Sequence, residues 1–154
     1  MSTRLKKIHY GRRRFLKSEP LANPEDWLLR INQLKSFISH NSKLQVVGHA
    51  STLECSEGRV CAMLEVIGKP FKTDQDAVHI SDFEEHDLLV FEIEHFDLFS
   101  IDFDKIMLIS ASILKALSKK EDKPSSNFHL VIDQQKIELH FFSQKDYIQK
   151  QLKY

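Results

Sequence analysis

Apolar residues recur along this chain with two periods, one near four residues and one of two. In "NPEDWLLRINQLKSFISHNSK", Trp27, Ile31, Leu34 and Ile38 fall on one stripe, the spacing of a helix that buries a single face. Asn23 is a good cap, Pro24 suits the first helical position, and Glu25 and Asp26 meet the positive end of the helix dipole. The pattern therefore predicts a helix over residues 23–41. A second helix is predicted over "DFDKIMLISASILKALSKK", capped by Ser100 or Asp102. Its apolar residues Ile106, Met107, Leu108, Ile109, Ala111, Ile113, Leu114, Ala116 and Leu117 spread beyond a single stripe of roughly 100°. A helix of that composition wants two apolar neighbours. "SQKDYIQKQLKY" predicts a short closing helix, with Ser143 as its cap and Asp146 three residues on.

The period-two stretches predict strands. Residues 44–55 and 59–67 flank "SEG", where Gly58 supplies the positive φ of a tight turn. Residues 69–83 read as a polar connection. In "HDLLVFEIEHFDLF", Leu89, Phe91 and Ile93 face one way and Glu92 and Glu94 the other, until the phase slips near His95, the mark of a bulge or a strand end. "FHLVIDQQKIELHFF" reads as a hairpin about Gln134-Gln135. Asp133 then pairs with Lys136, Ile132 with Ile137, Leu130 with Leu139 and Phe128 with Phe141, which puts every apolar member of those pairs on one face. His129 and His140 meet on the other face, which is read as solvent-facing.

The elements run α-β-β-β-α-β-β-α after a basic N-terminal stretch. The expected fold is α+β: an antiparallel sheet of about five strands with helices packed on it. Residues 1–21 are expected to be a basic arm and residues 22–154 a single domain, a size large enough to bury a real core.

Charge sharpens the question of the arm. The 154 residues have a formal net charge of +0, but the charges are segregated. Residues 2–17 carry Arg4, Lys6, Lys7, Arg12, Arg13, Arg14 and Lys17 and no acid, whereas the acids from Asp74 to Asp104 have no Lys or Arg between them. A nucleic-acid arm normally belongs to a basic domain, and a duplex would be repelled by the acidic middle. The favoured reading is therefore a solvated tail or one that pairs with the acidic segment. The residues through which the arm would meet a polyanion are Tyr10, Arg12, Arg13 and Arg14. No apolar run is long enough to span a bilayer. No apolar core follows the N-terminal charges, so a cleaved secretory signal is not expected. The two cysteines, Cys55 and Cys61, suit a reducing cytoplasm.

Candidate chemistry is sparse. His129 and His140 form the best pair among eight histidines, but zinc wants a third protein ligand and none is evident nearby. Cys55 and Cys61 lie on strands, not at a helix N-terminus, with His49 the nearest base in sequence. Glu92 and Glu94, with Asp82, Glu84 and Glu85 upstream, are arranged as a nuclease would arrange acids for magnesium, but the expected lysine is missing. No phosphate loop, dinucleotide fingerprint or nucleophile elbow occurs. The expectation is a non-enzymatic protein with no cofactor and no metal.

The element order, the over-apolar middle helix "KIMLISASILKAL" and the lack of a catalytic motif resemble the class I type III secretion chaperones over about residues 23–152. That resemblance implies a homodimer formed through the middle helix, with Ile106, Ile109, Ile113 and Leu117 at the interface. It also implies an extended client segment wrapped around the dimer, with "LQVVGHASTLEC" and "RVCAMLEVI" offering apolar surface to it. The expected function is thus a protein-interaction module. The alternatives are a nucleic-acid-associated subunit using the basic arm and a metal-dependent hydrolase using the acidic strand.

Overall fold

The computed structural model describes residues 5–40, 43–56, 58–68, 78–93, 101–117, 124–134, 136–143 and 151–153. Ten strands dominate it: β1 (Leu5–Tyr10), β2 (Arg13–Pro20), β3 (Leu44–Val46), β4 (Ser51–Ser56), β5 (Arg59–Gly68), β6 (Val78–Phe83), β7 (His86–Ile93), β8 (Pro124–Asp133), β9 (Lys136–Ser143) and β10 (Gln151–Lys153). The helices are α1 (Trp27–Ser39), preceded by a 3-10 turn at Pro24–Asp26, and α2 (Phe103–Leu117).

The expected α+β arrangement of about five strands is overturned. The strands form one antiparallel sheet in the order β1-β7-β9-β8-β4-β5-β2-β6-β10, with β3 also on β5. The expectation failed chiefly at the N-terminus. Of the expected basic arm at residues 1–21, the described part is not an arm attached to a domain: it supplies β1 and β2, and β2 lies between β5 and β6. Phe15 and Leu16, adjacent in β2, are 1% and 0% exposed on opposite faces of the sheet. The polar connection expected at 69–83 contains β6, the partner of β2. Residues 151–153 of the expected closing helix are β10, which pairs with β6. The phase slip near His95 lies outside the described residues.

The register explains how the sheet curves. Tyr10 stands opposite His86 in β1–β7, and Arg13 stands opposite Phe83 in β2–β6. No residue is gained or lost between them, so Gly11 and Arg12 face Glu84 and Glu85 across a bend. β1 and β2 thus form one long bent strand, and β6 and β7 another, antiparallel along their whole length. Because β2 also pairs with β5 and β7 with β9, the pairings β9–β8, β8–β4 and β4–β5 return the sheet to where it began. The result is a closed barrel of six continuous strands, in which closure pairs the edges that an open sheet would leave free, except along β1, whose outer side meets no described strand.

Closure creates two cores. Inside the barrel, Phe15, Met63, Phe83, Leu88, Val90 and Phe142 pack together, with Ile8 and Tyr10 against them. Outside, the opposite faces of the same strands bury Leu16, Leu53, Leu64, Leu130, Ile137, Leu139 and Phe141 beneath the helices. The predicted α1 stripe is found there, with Ile31, Leu34 and Ile38 buried and Trp27 partly so. The Asn23 side chain accepts from the Glu25 amide at 3.2 Å, and Asp102 accepts from the Lys105 amide at 3.1 Å to cap α2. The β8–β9 hairpin has the predicted register, including Phe128 opposite Phe141 and His129 opposite His140. Gly58 has the positive φ that its turn needs.

Because Phe15 fills the barrel interior, Phe15→Ala is expected to destabilise the protein by about 3–5 kcal/mol, measured as a shift in urea midpoint. Removal of residues 1–17 should abolish cooperative unfolding altogether.

Candidate functional site

The site grows from the bend at which the basic and acidic segments cross. Reading β1 and β2 forward meets the acids of β6 and β7 backward, and Lys7, His9, Arg12 and Arg14 each find a carboxylate there. His9 donates from Nδ1 to Asp87 at 2.7 Å and from Nε2 to Glu85 at 2.6 Å; these bonds raise its pKa and require the doubly protonated ring. Arg12 Nε reaches Glu84 at 2.8 Å. Arg14 grips both oxygens of Asp82, at 2.7 and 2.9 Å, and donates to the Gly68 carbonyl. Arg13 points into the barrel, pairs with Glu65 at 3.1 Å, and lies 4.4 Å from the Tyr10 ring and 4.8 Å from the Phe15 ring. Tyr10 stacks on His86 with centroids 6.1 Å apart.

Beside this bend is a cleft of about 330 Å³, lined by Arg12, Arg13, Arg14, Glu65, Val66, Ile67, Gly68, Asp82, Phe83 and Glu84. Its position follows from the pairing. β5 accompanies β2 as far as Val66 opposite Arg14 and ends at Gly68. Beyond that point β1 continues, paired on one side with β7 and on the other with no described strand. The cleft is therefore the fork at which β5 ends and, among the described residues, an unpaired strand edge begins. Ile67 is 57% exposed at this fork. Gly68 has φ +132 and sits so close to the Lys43 carbonyl that a Cβ would collide with it, which fixes where β5 stops.

The interior carries the buried charge. Lys17 on β2 is bonded to Glu54 on β4, and Glu54 Oε2 lies 3.7 Å from His129 Nε2. His140 meets Glu138 at 3.1 Å. The expectation that His129 and His140 face solvent is corrected: they are 1% and 2% exposed. The reason is closure of the barrel, which covers the second face of the hairpin. Rings of Phe15, Phe83 and Phe142 surround His129, the last at 4.8 Å. Burial drives the His129 pKa down to about 4 against the pull of Glu54, and burial also lowers that of His140. Burial alone would raise Glu54, but His129 and Lys17 beside it hold it at about 2. The interior at neutral pH thus contains a Lys17–Glu54 ion pair and uncharged histidines. Lys17 and Glu54 also line a second cleft of about 280 Å³ together with Arg59, Cys61 and His79.

The other sequence candidates fall elsewhere. Ile106 is buried in the outer core of its own chain with Ile109 and Ile113 partly buried against it, and Leu117 is also buried. The surface of α2 that faces outward shows Leu108, 70% exposed, as its large apolar residue. Cys55 and Cys61 are both free thiols on opposite faces of the β4–β5 pair. Burial pushes Cys55 up to about 12 and raises Cys61 as well, so neither is a thiolate at neutral pH. Among the described residues no group of three His, Cys, Asp or Glu is placed to hold a metal ion. Glu92 faces Glu138 across β7–β9, while Glu94 lies outside the described residues. Sequence reasoning missed the open edge of β1 and the fork beside it. The signal was the complementary order of charges in residues 7–14 and 82–87.

No protein-family model matches the chain, and a search of curated proteins finds no significant match.

Two outcomes follow from the buried charges. A histidine whose folded pKa lies below its unfolded value favours the neutral form, so its contribution is present above the unfolded pKa of 6.5 and is lost as pH falls toward the folded value near 4. Glu54, depressed from 4.5 to about 2, adds a loss below pH 4.5. Urea midpoints should therefore drop from pH 7 to pH 4 by the equivalent of roughly 3 kcal/mol, and His129→Gln should flatten that slope. Lys17→Met strands a buried carboxylate and is expected to cost about 3–5 kcal/mol, most of it recovered by adding Glu54→Leu.

Proposed function

We propose that this protein is a non-enzymatic, cytoplasmic protein-interaction module that holds an extended segment of a partner by adding it as a strand to β1. The observation that carries the proposal is the outer edge of β1, which pairs with no strand among the described residues, starts where β5 ends and adjoins the cleft at the fork. Strand addition draws affinity from backbone hydrogen bonds along such an edge and specificity from side-chain pockets next to it. Pairing with β7 along its whole length holds β1 extended before any partner arrives, which lowers the ordering cost of binding. The two free thiols fit a reducing compartment, and no helix among the described residues is long and apolar enough to cross a membrane.

An extended client is also what the resemblance to secretion chaperones implied. The element order behind that resemblance is not the one found, so the proposal rests on β1 instead. A dimer through Ile106, Ile109, Ile113 and Leu117 would have to expose the outer core to form. A polyanion would have to displace carboxylates from Arg12, Arg13 and Arg14. Neither is the reading the geometry favours.

Successive residues of a strand direct their amides to opposite sides. Of Lys6→Pro and Lys7→Pro, one therefore removes a bond to β7 and the other removes a donor only from the open edge. The first variant should lose stability. The second should unfold at the wild-type urea midpoint yet fail to bind extended peptides that the wild type binds, as followed by fluorescence anisotropy. Peptide binding undiminished in both variants would contradict the proposal.

A further inference from the structure

Resting on the reading of β1 as an acceptor edge, we infer that the segment it accepts is acidic, alternates acidic with apolar residues, and runs antiparallel to β1 with its N-terminal end at the cleft. The direction comes from the lane it would occupy. β5 runs antiparallel to β2 until Gly68, and β2 is continuous with β1 through the bend. A segment that extends the lane of β5 therefore continues in the direction of β5, from Tyr10 toward Leu5.

The alternation comes from the two faces of β1. Ile8 and Tyr10 point with the barrel interior, where they pack against its core. Lys7 and His9 point to the outside. Opposed residues in antiparallel strands share a face, so apolar residues of the segment would lie beside Ile8 and Tyr10, and polar ones beside Lys7 and His9.

The sign of charge comes from how the ribbon distributes it. The acids bonded to His9, Arg12 and Arg14, namely Asp82, Glu84, Glu85 and Asp87, lie on β6, β7 and their connection, on the side of the ribbon away from the outer edge of β1, whereas Glu65 on β5 is engaged by Arg13. That edge itself carries Lys6 and Lys7 and no acid between Leu5 and Tyr10, and the Lys7 side chain remains 71% exposed beside Asp87 at 3.8 Å. A second copy of β1 would oppose lysine to lysine or histidine, the charge pattern by which edge strands resist self-pairing. An acidic segment instead gains opposite-charge cross-strand pairs. At the fork, exposed Ile67 with Val66 and Phe83 gives an apolar floor to the cleft, which suits a large apolar side chain near the N-terminal end of the segment.

The test uses full-length protein and labelled peptides of about eight residues: alternating Glu and Val behind an N-terminal Phe, alternating Lys and Val behind the same Phe, and the acidic composition interrupted by prolines. The acidic alternating peptide is expected to bind at least about tenfold more tightly than the basic one at low salt, with an affinity that falls as salt rises. Lys7→Glu, on the face that meets the peptide's acids, should reverse that preference. A spin label on the peptide's N-terminus should broaden the amides of Ile67 and Gly68, and one on its C-terminus those near Leu5. Equal binding of acidic and basic peptides, or a preference the charge swap leaves unchanged, would overturn the acidic assignment while leaving strand addition standing. Broadening in the reverse order would overturn the direction. If the proline-interrupted peptide binds as well as the others, or none binds, strand addition itself fails.

Discussion

The structure depends on the pairing of two bent strands, β1/β2 and β6/β7, in a register that survives their common bend unchanged. Remove that pairing and β2 loses one neighbour, β7 loses another, and the ring from β9 through β8, β4 and β5 has nothing to close upon. A pairing so distant in sequence carries a large loop-closure cost. Charge gives it a unique solution. Arg14 opposite Asp82, Arg12 near Glu84 and His9 between Asp87 and Glu85 meet in one register, and a slip would set these pairs against the wrong neighbours while turning Phe15 and Leu16 to the wrong faces. Each exposed pair contributes little stability by itself. Their collective effect is selection of the alignment, and the burial of Phe15, Leu16 and Phe83 supplies the energy.

Closure then dictates the chemistry of the interior. The ring gives its strands an enclosed inner face, so side chains that would be solvated on an open sheet become internal. Lys17, Glu54, His129, Glu138 and His140 are of this kind. Their pKa shifts follow from enclosure: burial pushes the histidines toward neutrality, and Lys17 keeps Glu54 ionised. Groups so enclosed and mutually engaged serve the barrel, and function passes to its boundary, where β5 stops and β1 goes on alone.

Local pattern revealed the elements whose partners are near in sequence. The β8–β9 hairpin was readable to the residue because its turn and its alternation agree, and α1 because Ile31, Leu34 and Ile38 repeat at helical spacing. The β1/β2 ribbon escaped because "LKKIHY" and "RRFLKSEP" read as solvated charge when taken alone. Only beside the acids of residues 82–87 do those lysines and arginines look like half of a strand pair. β6, "VHISDF", was hidden in the same way. His129 and His140 were placed correctly in register and wrongly with respect to water, since period two says which residues share a face but not whether that face is covered. The edge of β1 was beyond local reading, because an edge is defined by which strands fail to reach it.

Native-state hydrogen exchange followed by NMR bears most directly on the central claim, that the N-terminal segment is a structural strand of the closed barrel. Amides of Phe15 and Leu16 bonded to β5 and β6 should exchange only through global unfolding, with the same free energy as those of Leu130 and Ile132 in β8. Exchange of the Phe15 and Leu16 amides at unprotected rates, while the β8–β9 hairpin stays protected, would contradict it.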